Sequence, residues 1–212
     1  MLRFRKPSPE AIRAFLDRQE PLGLTYSFVG GTKADVPAGY TMNHTRVPLG
    51  EGREAFDVAK NLLQNWQQFP LDWVEIWPPS TPIRNGAVVA IVARSLGLWW
   101  LNACQVVYEI DAAGERIQFG FAYGTLPGHV GTGEERFLVE MQADGTVYFD
   151  ILAFSRPYQW LARIGYPYMR SLQRRFGRDS AQTMQRLVRE HLSAMHTSSE
   201  ASSSVASAPA QV

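Results

Sequence analysis

From residue 86 to 155, apolar and polar side chains alternate with a period of two, in runs separated by short clusters of turn residues. The runs cover 87–94, 98–110, 117–125, 135–141 and 147–155. Between them lie Ser95-Leu96-Gly97, a polar stretch ending at Gly114, the loop from Pro127 to Gly133, and the tight-turn pair Asp144-Gly145. Strands joined by loops this short predict an antiparallel meander, because parallel neighbours need a crossover of about a dozen residues or more.

The flanks change to a three-and-four spacing. Ala55, Phe56, Ala59, Leu62, Leu63 and Trp66 recur along 53–69 as the buried face of a helix, with brief strands predicted before it at 40–48 and after it at 73–77. A long C-terminal helix is predicted over 158–195, bent or broken near Pro167 and Gly177. Leu161, Ile164, Tyr168, Leu172 and Phe176 share its apolar face, and Arg163, Arg170, Arg174 and Arg178 form the opposite stripe. Near the start, Ser8 caps a helix with Pro9 at its first position and Ile12, Phe15 and Leu16 on one side. Residues 25–39 contain Gly30, Gly31, Pro37 and Gly39 and read as an arm laid over the body.

These elements divide the chain into an N-terminal helix and arm (1–39), a main domain (40–196) and a small-residue tail (197–212). The tail is expected to be disordered, since it holds too little apolar surface to offset its ordering entropy. A sheet with one apolar face must be covered, and the last helix is the long cover available. The expected fold class is therefore α+β: a curved antiparallel sheet of about six or seven strands wrapped on a long C-terminal helix.

That order of elements resembles the plan of the helix-grip superfamily, the START-like and polyketide-cyclase-like proteins, over roughly residues 40–195. The resemblance implies an internal cavity for a small apolar or amphipathic molecule. A closer resemblance lies in FGFAYGTLPGHVGTGEERF at 119–137, preceded by LGLWWLNACQVVY at 96–108 and followed by FSRP, RIGYP and LQRRFGRDS. With its FAYGTLPGH signature, the chain is similar to a bacterial and plant family known as a domain of unknown function. That family has no assigned activity, so the resemblance implies no residue roles.

Composition narrows the partners. The 212 residues carry a formal net charge of +1, without the basic excess of a nucleic-acid binder. The single cysteine, Cys104, excludes an internal disulfide and fits a reducing compartment. No run approaches the ~18 apolar residues of a membrane span, and the basic N-terminus lacks the apolar stretch of a secretory signal. The cytoplasm is the expected location. Neither a GxxxxGK[ST] nor a GxSxG pattern occurs. Gly128, Gly131 and Gly133 lie between two strands, where a dinucleotide loop would need a strand before it and a helix after it. The four histidines include no i,i+4 pair, so no metal and no cofactor is expected.

Candidate chemistry gathers around 119–137. Phe119, Phe121, Tyr123 and Thr125 project from one face of their strand, toward the expected concave side. Gly120, Ala122 and Gly124 alternate on the back, where something can pack closely. Glu135 opens the inward side of the next strand, shared with Phe137, Val139 and Met141, and His129 stands at the rim. Tyr123, His129 and Glu135 would then meet at one end of the cavity as an acid–base group. The alternative is a solvated histidine and a strand-end carboxylate paired with an arginine. Asn102, Tyr108, Phe121 and Tyr168 are assigned to the lining, and Arg175 to the cavity mouth, where it would meet an anionic ligand. Cys104 is expected to be an inert buried thiol, and Glu134, Arg136 and Glu140 an exposed charge ladder on the opposite face. Three functions compete: binding of a small hydrophobic or amphipathic molecule, metal-independent acid–base catalysis in the same cavity, and contact with an anionic membrane surface or a protein through the arginine stripe.

Overall fold

The computed structural model describes residues 1–34, 36, 38–157 and 165–206, with side chains as far as Thr197. Its strands are β1 (Leu2–Arg3), β2 (Thr41–Glu51), β3 (Val74–Trp77), β4 (Val88–Ser95), β5 (Leu98–Ala112), β6 (Ile117–Thr125), β7 (Gly131–Met141) and β8 (Thr146–Pro157). Among the described residues three α-helices accompany them: α1 (Pro9–Gln19), α2 (Gly52–Gln64) and α3 (Tyr166–Ala206). The sheet runs in the order β2-β8-β7-β6-β5-β4-β3, and every pairing is antiparallel. The meander expected from the alternation is thus β4 to β8, and β2 returns to pair with its last strand. The eighth strand, beyond the six or seven expected, is β1, which pairs Leu2 and Arg3 with Trp100 and Trp99. Two residues are too few to carry a period.

The two faces of the sheet bury different things. On the concave face, Phe56 and Leu63 of α2, followed by Trp66 and Phe69, pack on Phe121, Phe137 and Phe149. On the convex face, Ile12, Phe15 and Leu16 of α1 cover Ala90, Val92, Leu101 and Ala103. Helix α1 starts as its sequence dictates, with the Ala11 N–H donating to the Ser8 hydroxyl at 3.3 Å and Pro9 in the first turn. The arm crosses the convex face beside it. There the Thr25 N–H donates to the Thr125 carbonyl at 2.9 Å, and the Tyr26 ring lies directly over Gly124.

Helix α3 lies along edge strand β2. Gln173 meets Asn43, Gly177 meets Thr45, and Gln185 donates to the Pro48 carbonyl at 2.9 Å. The break expected at Gly177 is absent. A Cβ there would sit 2.7 Å from the Thr45 hydroxyl, so this glycine permits a close helix–strand approach. Pro167 falls in the first turn, where its missing N–H leaves no helical bond unmade. The deeply buried side of α3 is Ser180, Ala181, Met184 and Val188, further along than the expected face. Residues 158–164, with Leu161, Arg163 and Ile164, lie outside the described residues. The helix continues to Ala206, into the segment expected to stay out of the fold, since extending an existing helix needs no new nucleus. Residues 207–212 also lie outside the described residues.

Candidate functional site

Antiparallel register sets a row of inward side chains across the concave face. Asn43 on β2 is paired with Ala153 on β8, Ala153 with Glu135 on β7, Glu135 with Tyr123 on β6, and Tyr123 with Val106 on β5. The adjacent row, Thr45, Ile151, Phe137 and Phe121, belongs to the aromatic block. There the Phe69 ring centroid stands 5.7 Å from that of Phe137 and 5.2 Å from that of Phe176. Toward α2 the concave face is filled. In the other direction, Ile91, Ala93, Glu135, Ala153, Ser155 and Leu172 are only half-buried. Alternation along each strand and the α3 phase place all six on the inner side.

Glu135 is the chemical centre of this row. The Tyr123 hydroxyl donates to its Oε2, and among the described residues that is its one hydrogen-bond partner. A carboxylate offers about four acceptor positions, so most of its capacity is unused. Burial pushes its carboxyl up to about 7, and the Tyr123 hydrogen bond offsets only part of that rise. Glu135 therefore combines strong desolvation with residual accessible surface, the combination expected where a side chain faces an internal space. Burial, with the charge of Glu135 beside it, holds the Tyr123 phenol well above its ordinary range. Burial and the same carboxylate also raise the Cys104 thiol, which makes it a poor nucleophile.

The helix side of this row is polar. The Asn43 amide donates to Gln173 Oε1 at 3.1 Å, and Gln173 Nε2 donates to the Ser155 hydroxyl at 2.8 Å. Arg170 reaches the same group, with its Nη2 3.5 Å from Asn43 Oδ1. Its Nε is buried without a hydrogen-bond partner, and among the described residues no carboxylate pairs with it. Arg170 therefore leaves the exposed stripe to which helix phase assigned it, whereas Arg174 and Arg178 remain exposed. Gln68 and Ser180 are fully buried, and the Gln68 amide and the Ser180 hydroxyl likewise have no hydrogen-bond partner. Sequence reasoning missed Arg170, Gln68 and Ser180. Ser180 stands one helical turn after Phe176 and Gln68 beside Phe69, which were available signals, whereas helix phase gave none for Arg170.

Other expected site residues take different places. Phe121 lies in the aromatic block, its ring 4.7 Å from Trp66. Asn102 is on the inner face, but its amide is used in fixing the β6–β7 loop: it accepts from the Val130 N–H at 3.3 Å and lies 3.5 Å from the Ile91 carbonyl. His129 does not meet Glu135. Its Nδ1 accepts from the Gly131 N–H at 2.9 Å. Burial, with the Met1 ammonium nearby, lowers its ring to about 4, so it is neutral and unsuited to pair with Glu135. Tyr168 is 42% exposed, and its hydroxyl pairs with Ser95 at 2.5 Å. Arg175 is committed to a surface cluster. Its guanidinium lies 4.5 Å from the Trp73 ring, and its Nε donates to Asp179 at 3.2 Å.

Tyr108 is on the opposite face from the one expected. A bulge in the β5–β6 register between Val106 and Tyr108 inserts a residue and reverses the parity. Its hydroxyl pairs with Thr32 of the arm at 2.5 Å, and Lys33 lies 3.8 Å from its ring centroid. On that convex face Glu134 and Glu140 of the charge ladder are buried and Arg136 is half-buried, where exposure was expected. Glu134, 2% exposed, accepts from the Tyr26 hydroxyl at 2.7 Å, the Gly30 N–H at 2.8 Å and the Thr32 N–H at 3.0 Å. The Thr32 hydroxyl adds a fourth donor at 2.5 Å. Arg136 links the Thr32 carbonyl to Asp150, and Arg46 links Asp150 to Glu140. Burial would raise Asp150, but hydrogen bonds from His44 and Arg136 outweigh it and hold the carboxyl below its ordinary range. This network fastens the arm to the sheet.

Among the described residues, no group of three or more His, Cys, Asp or Glu side chains is arranged to hold a metal ion. No described helix is long and apolar enough to cross a membrane. Residues 25–183 match the model of a domain of unknown function, DUF1990. The chain belongs to that family. It is 34% identical to a UPF0548 protein of Dictyostelium discoideum over 92% of this chain and 100% of the relative. A UPF0548 protein of Arabidopsis thaliana is 37% identical over 69% of this chain and 72% of its own length. Among solved structures, TTHA0849 from Thermus thermophilus superposes with a TM-score of 0.47 at 14% identity, covering 71% of this chain and 99% of that one. Norcoclaurine synthase from Thalictrum flavum, in complex with dopamine and hydroxybenzaldehyde, gives 0.45 at 12% identity, covering 80% and 96%. These are partial likenesses of shape, and nothing about activity follows from them.

Proposed function

We propose that this DUF1990 domain binds a small amphipathic molecule between the sheet and α3, with its apolar part against the aromatic block and a hydrogen-bond donor at Glu135. The observation that carries this reading is Glu135 itself: a desolvated carboxylate beside Phe137, with one donor for about four acceptor positions. Inward carboxylates without partners lower stability, and retaining one is consistent with a role in binding. A few polar groups on an otherwise apolar wall suit recognition of a molecule by one oriented end. The half-buried inner residues beyond Glu135 are consistent with space for it.

Native mass spectrometry of the purified protein tests for a retained molecule, and fluorescence titration with 2-naphthol supplies a defined probe. Binding of 2-naphthol is expected, weakened about tenfold or more in Glu135→Leu, which removes the acceptor. A native protein that carries no adduct and does not bind 2-naphthol at millimolar concentration, or a variant that binds it as well as native, would overturn the proposal. The carboxyl held near 7 favours a second reading, metal-independent acid–base catalysis by Glu135 with the Tyr123 hydroxyl. That reading requires turnover of a bound compound with a pH profile that disappears in Glu135→Gln.

A further inference from the structure

The polar wall opposite Glu135 has a composition of its own. Asn43 and Glu135 flank Ala153 in the register, so their backbones stand two strand spacings apart, about 10 Å. The residue between them carries only a methyl group. At the Asn43 end the groups are arranged in sequence: Ser155 receives from Gln173, Gln173 receives from Asn43, and Asn43 Oδ1 faces Arg170. The neutral members satisfy one another. Arg170 does not, because its contact to Asn43 is long and its Nε is buried without a partner. The nearby arginines Arg175 and Arg178 both approach Asp179, and Arg136 and Arg46 share Asp150. Arg170 has no such carboxylate among the described residues.

A guanidinium among half-buried residues, with a neutral amide as its acceptor and an unpartnered Nε, presents unused donors in a fork that matches a carboxylate. We infer that Arg170, oriented by Asn43 and Gln173, is an anion subsite, and that the bound molecule is a flat apolar acid with a hydroxyl or amine at the end remote from its carboxylate. This rests on the proposed binding role of Glu135 and adds the chemical class of the ligand. The donor end meets Glu135, the carboxylate meets Arg170, and the apolar middle lies over Ala153.

Three rigid fluorescent probes separate the two ends: 6-hydroxy-2-naphthoate, 2-naphthol, which lacks the carboxylate, and 2-naphthoate, which lacks the hydroxyl. Their affinities are measured at pH 8 for native protein, Arg170→Met and Arg170→Lys, after circular dichroism confirms that each variant is folded. Native protein is expected to prefer 6-hydroxy-2-naphthoate over 2-naphthol by about tenfold or more. Arg170→Met should abolish that preference by lowering the affinity for 6-hydroxy-2-naphthoate, while Arg170→Lys keeps part of it because the charge remains without the fork. Equal native affinity for the two probes, or a preference that survives in Arg170→Met, overturns the anion subsite. If 2-naphthol still binds in a Glu135-dependent way in that case, the proposed function stands without it. If no probe binds native protein, the anion subsite falls, and if native protein also carries no adduct the proposed function falls with it.

Discussion

Replacing Glu135 by Gln should make the protein more stable in a pH-dependent way. Burial raises the carboxyl from 4.5 to about 7 in the folded state. A group whose folded pKa is raised contributes stability that is fully present below the unfolded value and is lost as pH rises through the folded value. Native protein should therefore lose stability between pH 4.5 and about pH 7, by about 3 kcal/mol at 1.36 kcal/mol per pKa unit. Glutamine keeps an acceptor for the Tyr123 hydroxyl and carries no charge, so it mimics the protonated acid. Urea unfolding at pH 5 and pH 8.5 measures the difference. The variant should lie within about 1 kcal/mol of native at pH 5 and be about 2–3 kcal/mol more stable at pH 8.5, with an unchanged m-value. Titrating groups distant from Glu135 are common to both proteins and cancel in the comparison. A variant less stable than native at pH 8.5, or a difference independent of pH, would refute the reasoning: the carboxylate would then be well satisfied, and Glu135 would be a structural residue.

Three further outcomes follow from the contacts. Glu134→Gln replaces an acceptor-only carboxylate that holds four arm donors, so it should lower stability by about 2 kcal/mol or more and speed proteolytic cleavage within 24–34, read by denaturation and peptide mapping. Gly124→Ala should destabilise by roughly 1–3 kcal/mol, because its Cβ would fall 2.3 Å from the Tyr26 hydroxyl oxygen; a thermal midpoint equal to native would show that the arm moves aside freely. His129→Gln should leave 2-naphthol affinity unchanged, since the ring bonds its own loop; a loss of binding in fluorescence titration would return the histidine to the site.

The alternation along 119–125 and 135–141 was sufficient to turn Phe121, Tyr123, Glu135 and Phe137 to the same side, and the register then made Tyr123 and Glu135 neighbours. The glycines behind them, facing away, were legible as room for a close neighbour, and Tyr26 occupies it at Gly124. Period and turn chemistry are local properties, set by backbone geometry within a few residues, and the chain carries them unaided. What covers each face is a different matter. Glu134, Arg136 and Glu140 lie on the outward side as their parity requires, yet Glu134 and Glu140 are buried, because the arm from a hundred residues upstream lies over Glu134 and Arg46 reaches across to Glu140. A single bulge after Val106 sent Tyr108 to that side, since one inserted residue reverses every position beyond it. Helix phase placed Arg170 with the exposed arginines, and only docking α3 along β2, with Gly177 against Thr45, turned it toward Asn43. A repeating pattern specifies a side chain's direction relative to its own element, whereas its surroundings depend on which distant element packs there, and that is decided by the tertiary fold.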